Sequence, residues 1–188
     1  KSKVRALLQA RRVASTPHLT TDNRSGSSRF MTELRQSELR VAADLARHDL
    51  PGTVVVLDQL ATTAAMAAEA LSVEVGRIVK SLIFVGEETG EPIMVLVSGA
   101  NRVHEKRTGR QIGQKLGRAD ADLVRETTGF AIGGVSPLGQ LKSIPIYMDT
   151  DLFAFQTVWA AAGNARSVFE IAPDDLARVT GAPRITVT

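Results

Sequence analysis

The chain of 188 residues contains no cysteine. This excludes disulfides, thiolate nucleophiles and cysteine-ligated metals. No stretch approaches the roughly 18 consecutive apolar residues of a membrane span. A membrane partner is therefore not expected, and the cytoplasm is the default location. Several signatures are missing as well. There is neither a Gly-x-x-x-x-Gly-Lys-Ser/Thr loop nor a Gly-x-Gly-x-x-Gly turn. "VHEKRT" begins like a zinc-binding His-Glu-x-x-His helix but carries Thr108 at the second ligand position. No metal and no cofactor is expected. Aromatic residues make up only 4% of the chain, and Phe153, Phe155 and Trp159 read as core or pocket wall rather than base-stacking platforms.

Acidic residues are scarce at the start. Residues 1–30 hold seven Lys/Arg against Asp22 alone, so this segment carries +6 and the remainder −3 within a net charge of +3. The basic pI near 9.6 thus belongs largely to this segment and is poor support for nucleic-acid binding by the rest. Its polar Ser/Gly/Asn end suggests a disordered extension, or residues upstream of the real start. A basic, acid-poor, Ser-rich beginning also loosely fits a targeting peptide. The folded domain is expected over 31–188.

What is present is ordinary for a soluble protein: 44% hydrophobic and 23% charged residues. Periodicity predicts an amphipathic helix over 32–48, with Leu34, Val41 and Leu45 on its apolar stripe. A β-branched strand follows over 51–57, then an alanine-rich helix capped by Thr62 or Thr63 and running to Leu71. Residues 77–85 and 93–99 read as a hairpin across "EETGEP". Helices are predicted over 107–117 and 121–127, and "GFAIGG" as a strand. Further strands fall at 143–149, 155–160 and 167–171, then a helix from Pro173 to Thr180 and a last strand, "RITVT". The order lacks a regular βαβ beat, which predicts an α+β fold with a mixed sheet.

Two features carry chemistry. The loop in "FAIGGVSPLGQLKSIPIYMD" (130–149) holds Gly133, Gly134, Pro137 and Gly139, which permit tight turns and close approach of other atoms to the backbone. It is no nucleophile elbow. Leu138 stands where Gly-x-Ser-x-Gly needs its second glycine, and Pro137 removes the N–H after Ser136. The loop is either a plain connection or a wall of backbone N–H groups. Lys80 interrupts the apolar run around "VKSLIF". It either faces solvent or is buried with an anionic or carbonyl partner.

Together, "VKSLIF", "TTGFAIGGVSPLGQ" and "IPIYMD" resemble the YbaK/EbsC family, which includes the inserted editing domain of bacterial prolyl-tRNA synthetases. The resemblance spans roughly 32–187. It implies one compact α+β domain with a mixed, barrel-like sheet flanked by helices. It also implies a trans-acting deacylase that hydrolyses the ester of mischarged aminoacyl-tRNA. Lys80 matches the lysine that helps hold the terminal nucleotide and aminoacyl group. Gly133, Gly134, Val135, Ser136 and Pro137 match the Gly-x-x-x-Pro loop, with Ser136 given no nucleophilic role. Asp149 matches an aspartate after the next strand, and Gly163 with Asn164 a pocket-lining turn, here within "AAAGN" where many relatives have consecutive glycines. As the resemblance implies, the tRNA's terminal ribose hydroxyl orients the attacking water.

The implied partner is the acceptor end of aminoacyl-tRNA, with an aminoacyl-tRNA synthetase as a further one. Arg102, Lys106, Arg107, Arg110 and Arg118 form a candidate phosphate patch, Arg107, Arg110 and Arg118 falling near one face of the predicted helix. A solvated helix face is the simpler account of them. The rival function is a noncatalytic tRNA- or synthetase-binding module with the same fold.

Overall fold

The computed structural model describes residues 34–188, and the basic extension expected over 1–30 lies outside them. Helix α1 (Gln36–Arg47) buries Val41 and Leu45, while Leu34 precedes it. The extended run after Pro51 pairs only as β1 (Val55–Val56). Thr63 caps α2 (Ala64–Leu71), its hydroxyl accepting the Met66 N–H at 3.2 Å. A 3-10 turn (Val75–Arg77) leads into β2 (Ile78–Gly86), and the hairpin returns as β3 (Pro92–Ser98).

Two expectations are corrected next. The helix predicted over 107–117 is α3 (Glu105–Ile112) followed by β4 (Leu116–Arg118). Gly113 adopts φ +87° and its N–H caps the carbonyl of Gly109, ending the helix. Leu116 is then buried beside Phe84 as a strand residue. After α4 (Ala121–Thr128), capped by Asp120, "GFAIGG" forms no strand. Residues 129–145 have no helix or strand among them, since positive φ at Gly133 and the missing N–H of Pro137 both oppose a ladder.

The remaining elements are β5 (Ile146–Asp149), a 3-10 turn (Thr150–Ala154), β6 (Val158–Ala161), β7 (Ser167–Ile171), α5 (Pro173–Thr180) and β8 (Arg184–Ile185). The eight strands form one mixed sheet in the order β1-β7-β6-β2-β3-β5-β8, with β4 paired to β2. The sheet stays open, β1 and β8 lying at its two ends.

β3 is the spine. Residues 93–98 are all buried, which explains why "IMVLV" is continuously apolar rather than alternating. Met94 and Leu96 join Val79, Met148 and Phe169 on one face, where α1 packs. Ile93, Val95 and Val97 join Phe84 and Leu116 on the other. A smaller cluster seats α2 on Ile78 and Trp159.

Candidate active site

β2 is paired along one edge to β3, but its other edge is shared. β6 covers Ile78 and Val79, and β4 covers 84–86. Between them no strand pairs with residues 80–83. The carbonyl of Ile78 accepts from Gly99, and the Gly86 N–H donates to Glu91, so even-numbered residues of β2 turn their backbone groups toward β3. The backbone groups of Ser81 and Ile83 therefore face the gap. A cavity of about 560 Å³ opens there, within the usual range for a small-molecule site. Lys80, Ser81, Ile83, Gly133, Val135 and Asn164 are among its lining residues.

Lys80 is half-buried at this edge, and its ammonium donates to the backbone carbonyls of Gly99 (3.3 Å) and Asn101. An ammonium has three N–H donors, so one remains for a substrate. Burial holds its pKa below the ordinary value of 10.5, Asp149 pulling it back up and Arg102 pushing it down. The sequence-level alternative of a solvent-facing lysine is thereby settled. Asp149 itself is 1% exposed and is not among the lining residues. Its Oδ2 accepts from Ser98 N (3.1 Å) and Asn101 Nδ2 (2.8 Å), and its Oδ1 from Asp151 N (3.2 Å). Asp149 thus braces the 98–101 turn that holds Lys80.

Across the cavity, the glycine loop divides its labour. Gly133 is exposed at φ +89°, a conformation L side chains rarely adopt. Gly134 is buried, and a Cβ there would lie 2.4 Å from Asn164 Cα. Its N–H is occupied by the carbonyl of Ala131 at 3.0 Å, which removes it as an oxyanion donor. Among the described residues the N–H groups of Gly133 and Val135 have no hydrogen-bond partner, although Val135 is only 7% exposed. A buried N–H without a partner is rare in a folded protein. Ser136 is wholly buried, with its Oγ accepting from Leu138 N at 3.2 Å. It shapes the turn, and neither it nor Pro137 is among the lining residues.

The third wall is the turn after β6. Asn164 lines the cavity, while Gly163 is buried against Ser37 of α1 rather than exposed to it. Asn164 Oδ1 accepts from Arg166 N (2.8 Å), and its Nδ2 donates to Glu38 at 2.8 Å.

The basic residues do not share one helix face. Lys106, Arg107 and Arg110 lie exposed on α3, and Arg107 donates to the carbonyl of Thr188 at 2.6 Å. Arg118 sits on β4 opposite Phe84 and lines the cavity with Glu105. Arg102 follows the turn that holds Lys80. Sequence reasoning missed the 61–64 segment before α2, which forms part of the rim. Its only signal was the threonine cap.

This geometry has relatives. The Enterococcus faecalis protein named "Putative Cys-tRNA(Pro)/Cys-tRNA(Cys) deacylase EbsC" is 29% identical over 127 residues, 67% of this chain and 77% of that one. A proline–tRNA ligase of Limosilactobacillus fermentum is 30% identical over 114 residues, 58% of this chain but 18% of that one. A crystal structure described as "a putative trans-editing enzyme for prolyl tRNA synthetase" superposes with a TM-score of 0.78 at 42% identity, covering 83% of this chain and 99% of that one. The family model for the aminoacyl-tRNA editing domain matches residues 58–179, from the rim segment through the lysine strand, the glycine loop and the Asn164 turn, and the chain belongs to that family.

Proposed function

We propose that this aminoacyl-tRNA editing deacylase holds the acceptor end of its substrate at the open edge of β2 and hydrolyses the aminoacyl ester between Lys80 and the 133–137 loop. The observation that carries this reading is the pair of unpartnered N–H groups, on Gly133 and Val135, in residues that line the same cavity as Lys80. An aminoacyl ester is already activated. Hydrolysis needs a placed water and donors for the oxygen that becomes negative in the tetrahedral intermediate. One such donor is worth about 3–4 kcal/mol, or roughly 10²–10³ in rate. Water adds to the carbonyl carbon, the intermediate collapses, and the bond to the ribose oxygen breaks. The amino acid leaves as a carboxylate and the tRNA regains that hydroxyl, while the neighbouring free hydroxyl of the terminal ribose sits where it can orient the water. The third N–H of Lys80 binds a ribose or phosphate oxygen of the terminal nucleotide. Asn164 closes the far wall, while Asp149, Ser136, Pro137 and Gly163 keep the walls in place.

Arg118 and Arg102 meet the acceptor-stem phosphates near the cavity, with Lys106 and Arg110 further along. The likeness to part of a proline–tRNA ligase supports tRNA charged by that enzyme as the substrate, in the cytoplasm where translation proceeds. The test is hydrolysis of tRNAs charged with alanine, cysteine, serine or proline, comparing the wild type with Lys80→Ala. The expected result is rapid loss of one ester, abolished by the substitution. Binding of charged tRNA without hydrolysis of any ester would establish the noncatalytic module instead.

A further inference from the structure

No residue of α1 lines the cavity, and the family match begins only at residue 58. Yet α1 holds the loop at both ends. The Arg40 guanidinium donates through Nε to the carbonyl of Gly139 (3.1 Å) and through Nη2 to that of Gly129 (3.0 Å). Its Cζ lies 4.9 Å from the centre of the Phe130 ring, which is 1% exposed. One turn along the helix, Asp44 Oδ2 accepts the Gly139 N–H at 2.8 Å. Gly139 rests directly on the helix backbone, since a Cβ there would come within 2.8 Å of Arg40 C and Val41 N. Two residues before Arg40, Glu38 accepts from Asn164 Nδ2 and Ser167 Oγ. Asn164 is the residue whose backbone packs on Gly134.

Phe130, Val135 and Leu138 anchor the loop in the core. Apart from the bonds to α1, most of its hydrogen bonds are short-range, among them Gly134 to Ala131, Leu138 to Ser136 and the Gln140 side chain to Pro137. The planar guanidinium fork holds the two carbonyls from two nitrogens in a fixed geometry, which a flexible ammonium does not. It thereby fixes the separation between the ends of the segment carrying Gly133 and Val135.

We propose that Arg40 is a positioning residue for the hydrolysis, clamping both ends of the 129–139 loop from outside the cavity and so setting the aim of its N–H groups. This rests on the site assignment above. A misplacement of about 1 Å at the reacting centre can cost about 10²-fold in rate, and a donor that acts only on the transition state loses this without a matching loss of ground-state binding.

The test compares full-length wild type, Arg40→Lys and Arg40→Ala. Single-turnover hydrolysis is measured on the charged tRNA that wild type cleaves, together with amide hydrogen exchange of the substrate-free proteins. Arg40→Lys keeps the aliphatic stem over Phe130 and serves if Arg40→Ala does not fold. The expected result is a fall of about 10–100-fold in the hydrolysis rate with KM within about twofold. Exchange accelerates at 133–138 but not in β2 and β3, and millimolar guanidinium ion partly restores Arg40→Ala. Unchanged hydrolysis and unchanged loop exchange in Arg40→Lys would overturn the proposal. So would a uniform rise in exchange across the core, the mark of a merely structural role. A wild type inactive on every ester would overturn the site assignment instead, which separates the two failures.

Discussion

Asp149 accepts a hydrogen bond from the side chain of Asn101 at 2.8 Å, while the backbone carbonyl of Asn101 accepts one from the Lys80 ammonium. A buried carboxylate thus grips the residue that aims the lysine. Whichever way its amide turns, asparagine at 149 sets an N–H against a donor, either Ser98 N and Asn101 Nδ2 or Asp151 N. The expected cost is about 1–3 kcal/mol of stability, seen as a Tm lowered by several degrees. Loss of the neighbouring negative charge also lowers the Lys80 pKa further. A variant with wild-type Tm and wild-type pH–rate profile would remove Asp149 from this role.

Lys80 itself predicts opposite pH trends for activity and stability. Its folded pKa lies below 10.5 because burial disfavours the charged form. Between the folded value and 10.5, the unfolded chain binds more protons, so this group makes stability rise with pH. Activity should fall over the same window as the ammonium is lost. The check is kcat/KM against pH, corrected for spontaneous ester hydrolysis, with urea midpoints measured alongside. In Lys80→Met this stability increment should vanish.

The two adjacent glycines should fail differently. Gly134→Ala drives a Cβ into the Asn164 backbone, an overpacking cost of about 1–3 kcal/mol. The resulting loop shift should cut the hydrolysis rate by about 10² or more. Gly133→Ala meets no neighbour within 4 Å but must hold φ +89°, a strain of about 1–2 kcal/mol. Equal rates in wild type and Gly134→Ala would show that the contact with Asn164 does not shape the site.

Glu38 should make part of the acid sensitivity. Burial raises its pKa, but hydrogen bonds from Ser167, the Arg35 N–H and Asn164 outweigh this and leave it below 4.5. Its contribution to stability is therefore complete above the unfolded value and lost as pH falls through the folded one. Glu38→Gln should flatten the dependence of the urea midpoint on pH below about 4.5. An unchanged acid slope would show that Glu38 is not the group responsible.

Salt should separate the basic residues. If Arg118 meets a phosphate, Arg118→Ala raises KM and makes the slope of log(kcat/KM) against log salt shallower by about 0.7–0.9. Arg107 is committed to the Thr188 carbonyl, and its alanine variant should change the slope less. Identical slopes in both variants and wild type would remove Arg118 from the tRNA path.

Local physics made much of the chain legible. Apolar runs on either side of a polar turn marked β2 and β3, a threonine cap marked α2, and Pro173 with two acids marked α5. The helix expected over 107–117 ran too far, because Gly113 in the left-handed conformation ends it at Ile112. "GFAIGG" looked like a strand because its apolar residues suit one, but a glycine at φ +89° cannot continue a ladder. Asp149 was legible as a candidate, but its burial and its hold on the 98–101 turn were not, since both depend on distant chain.

The sequence alone determined the class of fold, the lysine set within an apolar strand and the glycine loop, because these depend on residues a few positions apart. Only the tertiary structure decided that β6 and β4 share one edge of β2 and leave 80–83 open, or that Gly134 spends its N–H while Val135 keeps one. It also decided that Arg40 and Glu38 hold the walls from behind. Those partners lie 89 to 129 residues apart, and no periodicity in a chain encodes a contact over that distance. Packing of the whole sheet is what brings them together.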